Sequence, residues 1–358
     1  MEILMLNLGI VYISSLFARM NFKKGIFETN SKNYNIIFIL LALASLIIVS
    51  GFRYKVGTDY VQYAEIYTVF APDAVIAESE DPGFMALCKY LNTISPDPQL
   101  MFLVTSVIIN TCVVLGLKRY SNKFELSMFL YITTFCYYST MNGVRQWIAA
   151  SISFIAYKYL QEKDFKKYAS IILLASMIHA SAVVMIPIYF IVNRKTFSKE
   201  NLIIIIIFIL ATLFYDKFST IFFGAIGDSK YAHYEQNAGT GVNPIRVAVY
   251  ILPLLLVIFN YKKINPYEDR KLDTIINLCI ISALIWMLSM NNMFLARLTF
   301  YFDLYFTLLI PELTSIGRIQ TKRFMYFSIA CAYFLCSYIL LVSGDSWIIP
   351  YTFRITLF

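Results

Sequence analysis

The stretch NIIFILLALASLIIVS (35–50) runs without a charge straight into GFRYKVGTDYVQY (51–63), where Arg53, Lys55 and Asp59 gather around Gly57. The first half reads as a helix made for hydrocarbon, because an unbroken apolar run satisfies its own backbone without water. The second half places three charges at its mouth. Working outward, the same alternation recurs along the chain. It is 358 residues long, 59% hydrophobic and 15% charged, with a mean hydropathy of +0.65. A soluble domain cannot hide that much apolar surface, so lipid must cover it. The apolar runs are continuous rather than alternating, which selects helices over a barrel.

Eleven apolar stretches stand out, at 3–18, 34–51, 100–117, 126–141, 145–160, 169–192, 201–214, 245–260, 274–290, 297–311 and 324–343. The expected fold is an all-α polytopic integral membrane protein, a single domain over 1–358. It has about 10–12 transmembrane helices, an outer-face cavity and a structured external loop at 52–98 carrying an amphipathic helix. A second external loop is expected at 228–244. The net charge of +8 is dispersed in short clusters between apolar runs. That pattern orients membrane helices and argues against a nucleic-acid partner. Basic clusters at Arg19/Lys23/Lys24/Lys32, Lys118/Arg119/Lys123, Lys158/Lys163/Lys166/Lys167, Lys262/Lys263/Arg270/Lys271 and Arg318/Lys322/Arg323 mark cytoplasmic loops. The 52–98 loop holds three basic and seven acidic residues and faces outward. Glu2 precedes the first apolar run and its basic residues follow, the reverse of a cleaved signal peptide. Both termini are therefore expected outside the cytoplasm, which requires an even number of crossings. Between Lys167 and Asp228 the favoured path has 169–192 crossing as one span, 201–214 returning and KFSTIFFGAIG (217–227) crossing again as a short or broken helix; a re-entrant 169–192 hairpin with His179 near its tip is the alternative. Five of the six cysteines, Cys112, Cys136, Cys279, Cys331 and Cys336, lie in apolar runs and Cys88 in a loop; no spacing suggests a metal site or disulfides.

Charges at or inside membrane helices are costly, so their presence hints at function. Arg53, Asp59, Arg145 and Arg297 fall on the outer side by position, while His179 falls mid-span. Arg145 and Gln146 open a helix in STMNGVRQWIAA (139–150); the plain alternative is an arginine snorkelling to headgroups. In NNMFLARLTFYFDLYF (291–306), Arg297, Tyr301 and Tyr305 recur at every fourth position and share one face of an α-helix; an aromatic belt with an anchor is the alternative. His179 is one of two histidines, either a packing residue or a base, since imidazole titrates near working pH. His233 has a weaker case. Gly57 permits a tight turn, Thr58 or Asp59 can cap the helix that follows, and Tyr60, Tyr63 and Tyr67 form a helical stripe.

FRYKVGTDYVQY (52–63), DPGF (81–84), NGVRQWIAASISFIAYKYL (142–160) with DFKKY (164–168), IHAS (178–181) followed by IPIY (186–189), and ARLTFYF (296–302) before LLIP (308–311) together resemble the EpsG family, Wzy-like membrane proteins of bacterial polysaccharide synthesis. The resemblance spans about residues 50 to 310 in family order. Asp81 stands where the family pattern E-P-G-F/Y has glutamate. It implies a polymerase of O-antigen, capsule or exopolysaccharide in the bacterial cytoplasmic membrane. Such an enzyme joins undecaprenyl-diphosphate-linked oligosaccharide repeat units at the outer leaflet. A flippase, a chain-length regulator and membrane lipid are its expected partners, and no cofactor is expected.

That chemistry fits the residues. A sugar–diphosphate–lipid leaves as an anion, which guanidinium groups hold with paired hydrogen bonds. Arg145 and Arg297, assisted by Arg53, are the candidate diphosphate site. Asp59, Asp81 and His179 are the candidate bases for the acceptor hydroxyl. Tyr60, Tyr63, Gln146 and Tyr301 are candidate sugar contacts. No DxD motif stands in an outer loop, so metal-independent transfer is expected. Three rivals remain. A lipid-linked oligosaccharide flippase or other transporter would show repeat symmetry and midplane polarity. A sugar acyltransferase would want a carboxylate beside its histidine, and His179 has none nearby in sequence. A non-catalytic scaffold of an assembly complex would tolerate change at Arg145, Asp59 and Arg297.

Overall fold

The computed structural model describes residues 1–20, 34–69, 81–226, 241–265, 267–343 and 347–354. Among them the chain is all-α, with only one isolated antiparallel bridge, Arg53 to Phe353, outside the helices. The described residues fall into two compact units: Met1–Ile186 with Gly317–Phe358, and Pro187–Ile316.

In the first unit the helices are α1 (Glu2–Arg19), α2 (Ile36–Gly51), α3 (Tyr60–Val69), α4 (Pro82–Asn92), α5 (Gln99–Tyr120), α6 (Phe124–Thr133), the single turn α7 (Cys136–Ser139), α8 (Val144–Gln161) and α9 (Phe165–Ile178), with the C-terminal helix Ile319–Val342. Helix α1 shows the logic of a lipid-facing surface. It exposes Ile3, Leu6, Ile10, Ile13 and Phe17, and buries Asn7, Ser14, Ser15 and Arg19. Outward faces carry the greasiest residues because lipid, not water, is the solvent. α1 packs on α2 and α6, α2 on α5, α5 on α8, α8 on α9, and α4 on α9. The 22 residues of α5 rise about 33 Å and set the distance between two polar ends. At one end Arg19 pairs with Glu125 at 2.5 Å, both buried, near the basic last turns of α5 and α8. At the other, Gln99 Nε2 donates to the Gly51 carbonyl at 2.5 Å. Between them Tyr131 donates to Asn110, whose amide reaches Ser50 and Ser106.

In the second unit Arg270–Leu288 is the central helix, buried along most of its length, and it packs against Pro244–Phe259 and Lys199–Leu213. At its start Asp273 accepts from Thr196 and Tyr261, and Asn277 donates to the Val192 and Arg194 carbonyls.

Among the described residues four helices are long and apolar enough to cross a membrane: Glu2–Arg19, Gln99–Tyr120, Arg270–Leu288 and Ile319–Val342. The number rises to six if two bent pairs each count as one span. This is an all-α polytopic membrane protein, but several of the apolar stretches are not straight helices. The 126–141 stretch breaks at Phe135, whose φ is 71°. The single uninterrupted span expected over 169–192 is corrected. α9 stops at Ile178, His179 is extended, Ala180–Val184 is a 3-10 turn, and a helix restarts at Met185. Restarting there puts Pro187 in a first turn, where its missing N–H costs no hydrogen bond. Lys199–Leu213 turns through 103° into the helix that contains 217–226. That 12-residue helix rises only about 18 Å and is too short to cross alone. Most of the expected 228–244 loop lies outside the described residues.

Candidate active site

The site grows from the turn at Gly57. Its φ is +95°, and a Cβ there would come within 2.5 Å of Asn142 Oδ1 and 2.9 Å of the Met141 carbonyl. Only glycine fits both the backbone and the space. The Thr58 N–H donates to Asn142 Oδ1 at 2.9 Å, so this turn is locked to the one preceding α8. Asp59 is half-buried, accepts from the Thr58 hydroxyl at 3.0 Å, and its carbonyl accepts the Tyr63 N–H. The expected start of α3 is therefore found.

The DPGF segment supplies the second element. Pro82 opens α4, where its fixed φ favours a helix. Gly83 lets α4 cross the end of α9, because a Cβ would sit 3.0 Å from the Met177 carbonyl. That close crossing brings Asp81 to the break after Ile178. Asp81 Oδ2 accepts from Arg145 Nη1 at 2.8 Å and lies 3.2 Å from His179 Nδ1, while Oδ1 accepts the Ala180 N–H at 3.0 Å. The Asp81 side chain is 1% exposed, His179 17% and Arg145 25%. Burial pushes the Asp81 carboxyl up, but the His179 hydrogen bond and charge, the Ala180 N–H and the Arg145 charge outweigh it and hold the group below the ordinary aspartate value.

Arg145 is held from several sides. Its backbone N–H donates to the Tyr63 hydroxyl at 3.3 Å. Its guanidinium carbon lies 5.7 Å from the Tyr63 ring centroid and 5.9 Å from that of Phe84. The two rings meet edge to face. Aromatic walls of this kind favour a cation and exclude water from it.

The other expected residues fall as follows. Arg53 is 2% exposed, donates to the Ser50 and Met141 carbonyls and lies over the Phe102 ring. It holds backbone together and presents no surface. Tyr60, Tyr63, Gln146 and Tyr301, the expected sugar contacts, are all buried. Tyr60 stacks on Phe102 at 4.4 Å, and Tyr67 donates to the Ser95 carbonyl. The tyrosine stripe of α3 is a packing face, since the spacing that lines a groove equally lines a core. The shared face expected for Arg297, Tyr301 and Tyr305 is corrected as well. Met293–Tyr301 is a 3-10 helix with three residues per turn, so a fourth-residue spacing moves around the axis instead of along one face. Arg297 is exposed, and Tyr301 and Tyr305 are buried. His179 is not in the middle of a span but at a helix end, and the carboxylate missing from its sequence neighbourhood is Asp81. Asn142 and Phe84 carry no charge, and their only signal in the sequence is membership of the motifs NGVRQW and DPGF beside charged neighbours.

No curated protein and no solved structure is matched by this chain. A model of the EpsG family matches residues 36–353, extending past both ends of the motif-bearing region. The match covers the Gly57 turn, the Asp81–Arg145–His179 cluster and the segment that carries Arg297. This chain therefore belongs to the EpsG family, whose members are Wzy-like polysaccharide polymerases.

Proposed function

We propose that this polymerase joins undecaprenyl-diphosphate-linked oligosaccharide repeat units at the outer leaflet, by metal-independent glycosyl transfer, and that Arg145, Asp81 and His179 form its working centre. One observation carries this. A single buried carboxylate grips both an arginine and a histidine at the end of the first unit opposite the Arg19–Glu125 pair and the basic helix ends. Positive charge marks the cytoplasmic side of membrane helices, so the cluster belongs to the other side.

The roles follow from what each group has left to offer. Both Asp81 oxygens accept hydrogen bonds within the cluster. Asp81 is thus a positioning residue and not the base. With Nδ1–H of His179 donating to Asp81, Nε2 is the basic nitrogen, and it accepts the proton of the acceptor sugar hydroxyl. That oxygen bonds to the anomeric carbon of the donor sugar, the bond to the diphosphate oxygen breaks, and the lipid diphosphate leaves with the electron pair. Arg145 stabilises the departing anion with the donors that Asp81 does not use. Its fixed positive charge takes the place of a metal ion. Arg53 keeps the neighbouring backbone in register. Taken by itself, Arg297 on the second unit is an exposed cation that attracts an anionic group, and Asp59 is a contact to an acceptor hydroxyl.

The test uses a deletion strain of the source bacterium, complemented with variants and read as the ladder of surface polysaccharide. Loss of the gene should leave one repeat unit on the final acceptor and no ladder; a total absence of surface sugar would instead indicate export and overturn the polymerase reading. Arg145→Lys should lower long-chain polymer about 100-fold, nearly as much as Arg145→Ala, because an ammonium cannot replace a forked contact worth ~3 kcal/mol. Free substitution by lysine would reduce Arg145 to a headgroup anchor. Synthesis in isolated membranes should continue in chelator, and loss restored by Mg²⁺ or Mn²⁺ would refute the metal-independent step.

A further inference from the structure

The last described segment, Trp347–Arg354, carries none of the motifs quoted above, yet it is bonded along its length to the loop that builds the site. The Gly57 N–H donates to the Trp347 carbonyl at 3.1 Å, the Tyr54 N–H to the Thr352 carbonyl at 3.0 Å, and the Arg354 N–H to the Phe52 carbonyl at 3.0 Å. The Thr352 hydroxyl also donates to the Tyr54 carbonyl. Side chains fasten both edges. Tyr351 donates to the Val49 carbonyl at 2.5 Å, and Arg354 pairs with Asp97 at 2.8 Å. Asp97 in turn accepts the Gln99 N–H that opens α5.

The loop it grips is also held from inside the unit, where Arg53 donates to the Ser50 and Met141 carbonyls and Gln99 Nε2 donates to the Arg53 carbonyl. Residues 52–57 are non-helical, and Lys55 and Gly57 both have positive φ. Such a conformation persists only where surrounding contacts over-determine it. From this loop the contacts run to the site itself. Arg53 donates to the Met141 carbonyl, Thr58 N–H donates to Asn142, and Arg145, three residues later, lies in the first turn of α8.

Resting on the reading of Arg145 given above, we propose that Trp347–Arg354 is a positioning strap of the active site, which fixes the Gly57 turn against Asn142 and thereby sets the start of α8 and the aim of Arg145. Arg354 and Tyr351 are its positioning residues. They act through the loop and do not touch the reacting groups.

The experiment compares Arg354→Ala/Tyr351→Phe, Arg354→Lys and Arg145→Ala in the complemented deletion strain. Polymer length and amount are read per folded molecule, counted by fluorescence-detected size exclusion of a fusion protein. The double variant should lose about tenfold of long-chain polymer per folded molecule, the scale of two lost hydrogen-bonded contacts. Arg354→Lys should stay near wild type, because an ammonium can still reach the Asp97 carboxylate that Nη2 meets at 2.8 Å and lie over the Tyr54 ring as the guanidinium does. Polymer per folded molecule that stays at the wild-type level in the double variant, whether or not the folded amount falls, would make the segment merely structural and overturn the strap. An active Arg145→Ala would overturn the site reading instead; an inactive Arg145→Ala beside a fully active double variant would overturn the strap alone.

Discussion

Arg145 and Arg297 both sit in short motifs between apolar runs, GVRQW and ARLTF, and the fold gives them opposite settings. Arg145 occupies the first turn of a regular helix, with its guanidinium on Asp81 and its backbone N–H on Tyr63. Arg297 lies on a 3-10 segment and is exposed. The same 3-10 region holds a buried carboxylate. Asp303 is 3% exposed and accepts from Ser282 at 2.6 Å, Trp286 at 3.0 Å and Thr299 at 2.8 Å. Two buried aspartates thus do different work. Asp81 spends its oxygens on a guanidinium, an imidazole and one N–H; Asp303 spends them on neutral donors that tie an irregular segment to the central helix. The first arrangement aims side chains, the second holds backbone. A buried carboxylate is read by its donors, not by its burial.

Three measurements sharpen or break this contrast. The largest effect belongs to Asp81 and His179. Each of His179→Ala and Asp81→Asn should lower polymer per folded molecule about 100-fold, and the double variant should be no worse than the worse single, since groups acting as one unit do not add. Multiplicative losses would mean that the two work independently. The pH sign of the Asp81 contribution is fixed by its depressed pKa. The stabilisation is complete above the ordinary aspartate value and is lost as pH falls through the lower folded value. Next comes Asp303→Ala, which removes the acceptor shared by Ser282, Trp286 and Thr299 and should cost ~2 kcal/mol of stability. The readout is a lower thermal midpoint of the purified protein in detergent with polymer per folded molecule intact. A loss of turnover without a loss of stability would move Asp303 from the scaffold into the site. The smallest effect is at Arg297. Arg297→Ala should lower polymer about tenfold and Arg297→Lys only two- to threefold, as suits an exposed charge attracting an anion. No change in either variant would leave Arg297 as a headgroup anchor.

Several features were legible because they are local. Gly57 turns the chain where the residues after it need a helix start, and the tyrosines that follow share a face. The Asp81 and His179 motifs could be quoted, but not joined. Their contact closes 98 residues of chain, and it depends on Gly83 letting two helices cross and on α9 ending where its apolar pattern does not end. The aromatic stripe of α3 was visible as a stripe, while its partner, Phe102 of α5, was not.

By itself the sequence determined that this chain lives in lipid, is built from helices, and keeps its basic clusters apart from its acidic loop. Hydropathy and charge are properties of each residue against its solvent, so they survive without coordinates. Only the tertiary structure decided which charges meet, which tyrosines are walls of a core, where the apolar runs break, and that the segment at 347–354 braces the Gly57 turn. Those outcomes depend on the geometry of packed helices, where one missing Cβ or one turn of 3-10 pitch redirects every side chain beyond it.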